Sequence, residues 1–186
     1  MKKLLFAALV AGSALWAIPA SAQSTSGTVN LSGTVAAKCT SAGGLSDSIN
    51  LGELAIANGT VDSSFSSNVG GLTRSFTVTC TSANPQISVD AAPLVNAAVL
   101  VPTSGYTNTV HYTATMTASK AAGGNTSAID TSNVAGPTAS SVGDHLANGA
   151  NNIVVTVSNG NTTSATDLLE AGSYAGTISL TVSPSA

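Results

Sequence analysis

From Val29 to Cys39 the odd positions are apolar or small (Val29, Leu31, Gly33, Val35, Ala37, Cys39), and the even positions run Thr28, Asn30, Ser32, Thr34, Ala36, Lys38. Strict alternation of this kind predicts a strand with one apolar face. The run is about 12 residues, roughly 40 Å at ~3.3 Å per residue, twice a typical strand. Further strands are predicted over 48–54 and 72–81, the second with Leu72, Phe76, Val78 and Cys80 on one face. Others follow at 86–91, 97–101, 109–118, 151–159 and 173–183. In 109–118 the inward set is Val110, Tyr112, Ala114, Met116 and Ala118; in 151–159 it is Ile153, Val155 and Val157. In the last strand it is Tyr174, Ile178, Leu180 and Val182, with Gly176 among them. Gly, Asn, Ser and Pro punctuate these runs, and no convincing helical period with caps interrupts them. Single helical turns fit only around 92–100 and 165–172. Seven or eight short strands predict an all-β antiparallel sandwich. The stretch 119–149 is weakly patterned and reads as a long loop with at most one short strand, a candidate surface for variable contacts.

The first 22 residues stand apart. Lys2 and Lys3 precede the apolar run 4–18, and Ala20-Ser21-Ala22 is a small-residue cleavage site. That order predicts an export signal cut after Ala22, with an uncleaved anchor as the alternative. About 164 of the 186 residues then remain, enough for one domain with a real core and with no membrane insertion after cleavage. Removing Lys2 and Lys3 takes the formal net charge from −3 to −5, and only Lys38, Arg74 and Lys120 remain basic. Such a chain has no basic patch for nucleic acid. Two cysteines in an exported chain predict a disulfide, Cys39 to Cys80. Closing that loop stabilises the fold by about 4 kcal/mol in the chain-entropy account. Two free buried thiols are the alternative.

Catalytic patterns are absent from the sequence. His111 falls on the polar face of its predicted strand. His145 follows Asp144 in the long loop, but no G-x-S-x-G elbow supplies a nucleophile. The eight carboxylates are dispersed, without a metal-loop spacing, and no phosphate-binding glycine loop opens a helix. No enzyme activity and no cofactor are expected.

The first strand therefore carries the functional question. If Cys39 ties its end to the body, its N-terminal half has no turn dipeptide, Gly33 excepted, by which to fold back. An apolar strand left in that state needs a partner, and strand addition to another subunit's sheet edge supplies one. Burying Val29, Leu31 and Val35 would yield roughly 5–9 kcal/mol, and Gly33 admits close approach of a neighbouring backbone. An ordinary first strand with a permissive glycine is the plainer alternative.

The stretch 27–39, GTVNLSGTVAAKC, resembles the N-terminal extension of chaperone–usher pilins. The pieces INLGEL (49–54), FTVTCTSANPQISVDA (76–91), VHYTATMTA (110–118) and EAGSYAGTISLTVSP (170–184) resemble the spore coat protein U-like, archaic branch of that family. The resemblance touches about half of the chain after Ala22. It implies an incomplete immunoglobulin-like sandwich over 38–186, preceded by a donor-strand extension over 23–37 and the signal over 1–22. It further implies donor positions Val29, Leu31, Gly33 and Val35, a Cys39–Cys80 disulfide, and a groove bordered by Tyr174, Ile178, Leu180 and Val182. The implied partners are other copies or related pilins, a periplasmic chaperone and an outer-membrane usher. The implied role is a subunit of a surface fimbria serving adhesion or biofilm formation. The chain ends TVSPSA, without the aromatic that many pilins carry near the C-terminus. A self-sufficient exported sandwich, binding a glycan or partner through 119–149, is the second expectation.

Overall fold

A computed structural model describes residues 25–185, so the predicted signal segment lies outside the described residues. The described residues from Val35 onward form one compact unit. Its strands are β1 (Cys39–Ser41), β2 (Thr73–Phe76), β3 (Val78–Cys80), β4 (Gln86–Ala91), β5 (Leu94–Val95) and β6 (Tyr106–Thr107). They continue with β7 (Thr109–Ser119), β8 (Asn125–Thr131), β9 (Thr138–Ser141), β10 (Ile153–Asn161), β11 (Leu168–Leu169) and β12 (Ile178–Ser183). The described residues contain no helix.

β7 is the central element, and its sequence shows why. Val110, Tyr112, Ala114, Met116 and Ala118 are all buried, while the residues between them face outward. It pairs antiparallel with β10 on one side and with β5 and β8 on the other, and β2 closes the far edge of β10. The second sheet runs β12-β4-β9, also antiparallel. Ile87, Val89 and Ala91 of β4 meet the inward residues of β7 and β10 in a single core. Two antiparallel sheets around one apolar core make the expected all-β sandwich.

Several expectations need correction. The strand over 28–39 is absent from the single chain: residues 25–38 form no ladder, and pairing begins at Cys39, opposite Cys80. The segment 48–54 has only one isolated bridge, Asn50 to Val69, with a second just beyond it, Ala55 to Val61. Gly52 breaks it, with φ of +72° and the Ser67 carbonyl packed where a side chain would begin. The run 97–101 is a turn, with Leu100 and Val101 89% and 85% exposed. Buried Asn96 starts that turn, its Oδ1 accepting the Ala98 N–H at 3.2 Å and its Nδ2 donating to the Ala171 carbonyl at 3.2 Å. The last strand starts at Ile178 rather than 173. The stretch 119–149 contains two strands, β8 and β9, and the connection between them crosses from one sheet to the other.

Several polar groups inside the sandwich are matched. Asp130 of β8 is 3% exposed; its carboxylate accepts the Ala91 N–H at 2.8 Å and the Thr138 hydroxyl at 3.1 Å. Burial, and then the charge of Asp130, push the Tyr112 phenol up to about 12. Its hydroxyl donates to the carbonyls of Ala92 and Thr177. Asn152 acts as a strand surrogate for β3: its Oδ1 accepts the Val78 N–H, and its Nδ2 donates to the Val78 and Ala147 carbonyls.

The turn after Val61 seats Phe65 in the core at φ +49°, with its ring against Gly160 of β10, where an added Cβ would lie 2.7 Å from it. Asp62 holds this turn by accepting the N–H and hydroxyl of both Ser64 and Ser66. The hydroxyl bonds from Ser66 and Ser64, followed by the two N–H bonds, hold its carboxyl well below the usual carboxylate range. A depressed folded-state pKa contributes stability that is present above the unfolded value, about pH 4, and is lost as pH falls toward the folded one. Thermal melts at pH 7 and pH 2.5 should therefore show a smaller acid-induced drop for Asp62→Asn than for the parent.

Candidate functional site

Two of the sheet edges flank one groove. Among the described residues β12 pairs with β4 on one side only, and β2 pairs with β10 on one side only. Ile87, Val89 and Ala91 of β4 are sealed at 0–3% exposure, yet Val182, Leu180 and Ile178 opposite them are only partly buried. Apolar side chains and an unpaired backbone edge together form a surface that receives another strand.

The floor is made of Leu94, Tyr112, Val155 and Val157. One bank is β12, through Ile178 and Leu180; the other is the irregular segment 45–51 with Arg74 and Phe76 of β2. This first chamber holds about 340 Å³. A second chamber of about 630 Å³ continues it between 49–55 and 169–176. Ile49, Leu51, Leu94 and Gly176 line both, so the two are one continuous groove.

Arg74 fixes the irregular bank. Its Nε donates to the Ser48 carbonyl at 2.8 Å and lies 3.3 Å from the Asp47 carboxylate. Its Nη1 donates to the carbonyls of Gly70, Gly71 and Thr73. The guanidinium's fork of donors thus ties the bank to the edge of β2. The alternation does not mark this residue as functional; its only signal is an arginine inside an apolar/polar strand in a chain with so few cations.

The bordering residues divide. Ile178 and Leu180 line the groove, and Val182 continues their face toward the end of β12, opposite Ile87. Tyr174 precedes the strand and lines the larger chamber, its hydroxyl donating to the Thr107 and Glu170 carbonyls. Cys39 and Cys80 form a disulfide, 2.08 Å between sulfurs, at the root of β1. Val29, Leu31 and Val35 are 82%, 93% and 82% exposed, and a side chain added at Gly33 would meet nothing.

The histidines lie elsewhere. His145 Nδ1 is 3.7 Å from the Asp144 carboxylate, which is held below its usual range mainly by the Ala122 N–H. His111 is half-buried rather than solvent-facing, and its Nδ1 has no partner. Among the described residues no three His, Cys, Asp or Glu side chains converge as a metal site. Compared with family models, curated proteins and solved structures, the chain matches none of the three.

Proposed function

We propose that this protein is a structural subunit of a surface fimbria, exported and then polymerised by donor-strand exchange. The observation that carries this reading is the open apolar groove beside β12, in a chain whose Val29, Leu31 and Val35 are all more than four-fifths exposed. Each copy offers what another lacks: an apolar strand without an edge, and an edge without a strand. Val29 to Val35 spans about 20 Å at ~3.3 Å per residue, close to the length of six-residue β12. Insertion would convert exposed valine and leucine surface into core and pair the free backbone groups of β12.

Because donor and acceptor are different surfaces of the same chain, the contact is heterologous and propagates into an open fibre. A periplasmic chaperone would shield the groove before assembly, an outer-membrane usher would release the growing fibre, and the fibre would serve adhesion or biofilm formation. The disulfide suits an oxidising compartment on that route. Sedimentation of the chain with and without residues 24–35 tests the reading: growth should require them.

A further inference from the structure

The apolar pattern alone leaves the register of insertion undecided. Inward residues of the donor recur every second position, as do Val182, Leu180, Ile178 and Gly176 of the acceptor. A slip of two residues therefore keeps every side chain on the same face. The tetrapeptide SGTV occurs at both 26–29 and 32–35, which deepens the degeneracy.

Direction is constrained by where the chain enters its own body. The Lys38 N–H donates to the Thr81 hydroxyl, and Lys38 in turn accepts the Thr81 N–H. Neighbouring Ser82 bonds Ser185, just beyond β12. The extension therefore roots at the C-terminal end of β12. If an incoming strand ran parallel to β12, its own body would crowd that same end. An open chain of copies needs the two neighbours at opposite ends. The incoming strand must run antiparallel to β12, with its residues 36–38 leaving past 170–174.

The charges fit that arrangement. Lys38 is the only charged residue between 25 and 46, it is exposed, and it has no ion partner among the described residues. Glu170 lines the larger chamber at the exit end, its Oε1 accepting the Thr103 N–H at 3.1 Å, and it too has no ion partner among the described residues. Pairing Val29 with Val182 sets Leu31 against Leu180, Gly33 against Ile178 and Val35 against Gly176. Counted on past the start of β12, the same register brings Lys38, one of the outward-facing even positions, level with Ser173, three residues from Glu170. A two-residue slip moves it about 7 Å along the groove.

Given strand exchange between copies, on which this rests, we propose that Lys38 of the incoming copy pairs with Glu170 of the acceptor and thereby selects the register of insertion. The occupant of the exit end is a second copy of this chain.

The test is a charge swap in the full chain, read by light-scattering growth rates. Lys38→Glu and Glu170→Lys should each slow growth at least about fivefold. The chain carrying both should grow within about threefold of the parent. Glu170→Gln, which keeps an acceptor for the Thr103 N–H, should slow growth like Glu170→Lys but less, which separates charge from local structure. Equal melting temperatures across the set would show that folding is not the cause. Growth indifferent to both reversals, or a swap that fails to restore it, overturns the assignment while strand exchange stands. A parent that never polymerises overturns both.

Discussion

A chain carrying Val29→Asp and Leu31→Asp should stay monomeric at concentrations where the parent forms fibres, and should melt within about 4 °C of it. Both halves of this result follow from exposure. The two side chains are 82% and 93% exposed in the single chain, and substitutions at such positions usually change stability by no more than about 0.5 kcal/mol. In the groove the same side chains would each contribute about 1.5–3 kcal/mol of burial. Losing both weakens the contact by about two to four orders of magnitude, and burying two carboxylates weakens it further. Val134→Asp, also at an exposed valine but outside the groove lining, should polymerise as the parent does. Sedimentation velocity paired with thermal melting reads both quantities on one sample. Loss of assembly accompanied by a large loss of stability would place these residues in the chain's own core instead.

The second large effect belongs to the disulfide. Cys39 and Cys80 are 41 positions apart and sit opposite each other on β1 and β3. Replacing both with serine should lower stability by about 4 kcal/mol, most of it through a less restricted unfolded chain. For a domain of this size that is a fall of roughly 8–16 °C in melting temperature. The effect should be the opposite kind to the donor substitutions: stability falls, while the apolar groove keeps its lining residues. Calorimetry of the double serine variant checks the magnitude.

What the sequence disclosed, and what it hid, follows from how each strand is held. β7 is readable residue by residue because both of its faces follow one rule: apolar side chains in the core and, His111 apart, Thr and Ser outside. β8 was hidden because its core-facing positions are Ala128 and Asp130, and a buried carboxylate breaks the apolar period that marks a strand. Only the fold shows that the Ala91 N–H and the Thr138 hydroxyl satisfy it. The run 97–101 misled in the other direction. Its apolar residues are contiguous rather than alternating, and the side-chain bonds of Asn96 with Pro102 nearby turn the chain instead of extending it.

The groove itself was legible only on one side. Ile178, Leu180 and Val182 announced a strand with an inward face, but a sequence cannot say that its far edge has no neighbour. The opposite bank has the alternation of a strand over 48–54, yet it is an irregular segment held by the Arg74 guanidinium and bent at Gly52. The extension shows the converse. Its alternation is that of a strand, yet it forms none in the single chain, because a strand exists only when an edge accepts its backbone groups.

That mismatch between pattern and pairing can be measured directly. The chain from Gln23 onward, and the same chain lacking residues 24–35, should be concentrated side by side and run on SDS gels with and without heating. Strand exchange predicts a ladder of SDS-resistant, heat-sensitive multimers from the first and a single band from the second. A full-length chain that stays monomeric at high concentration with ordinary thermal stability, or a truncated chain that still forms the ladder, would contradict it.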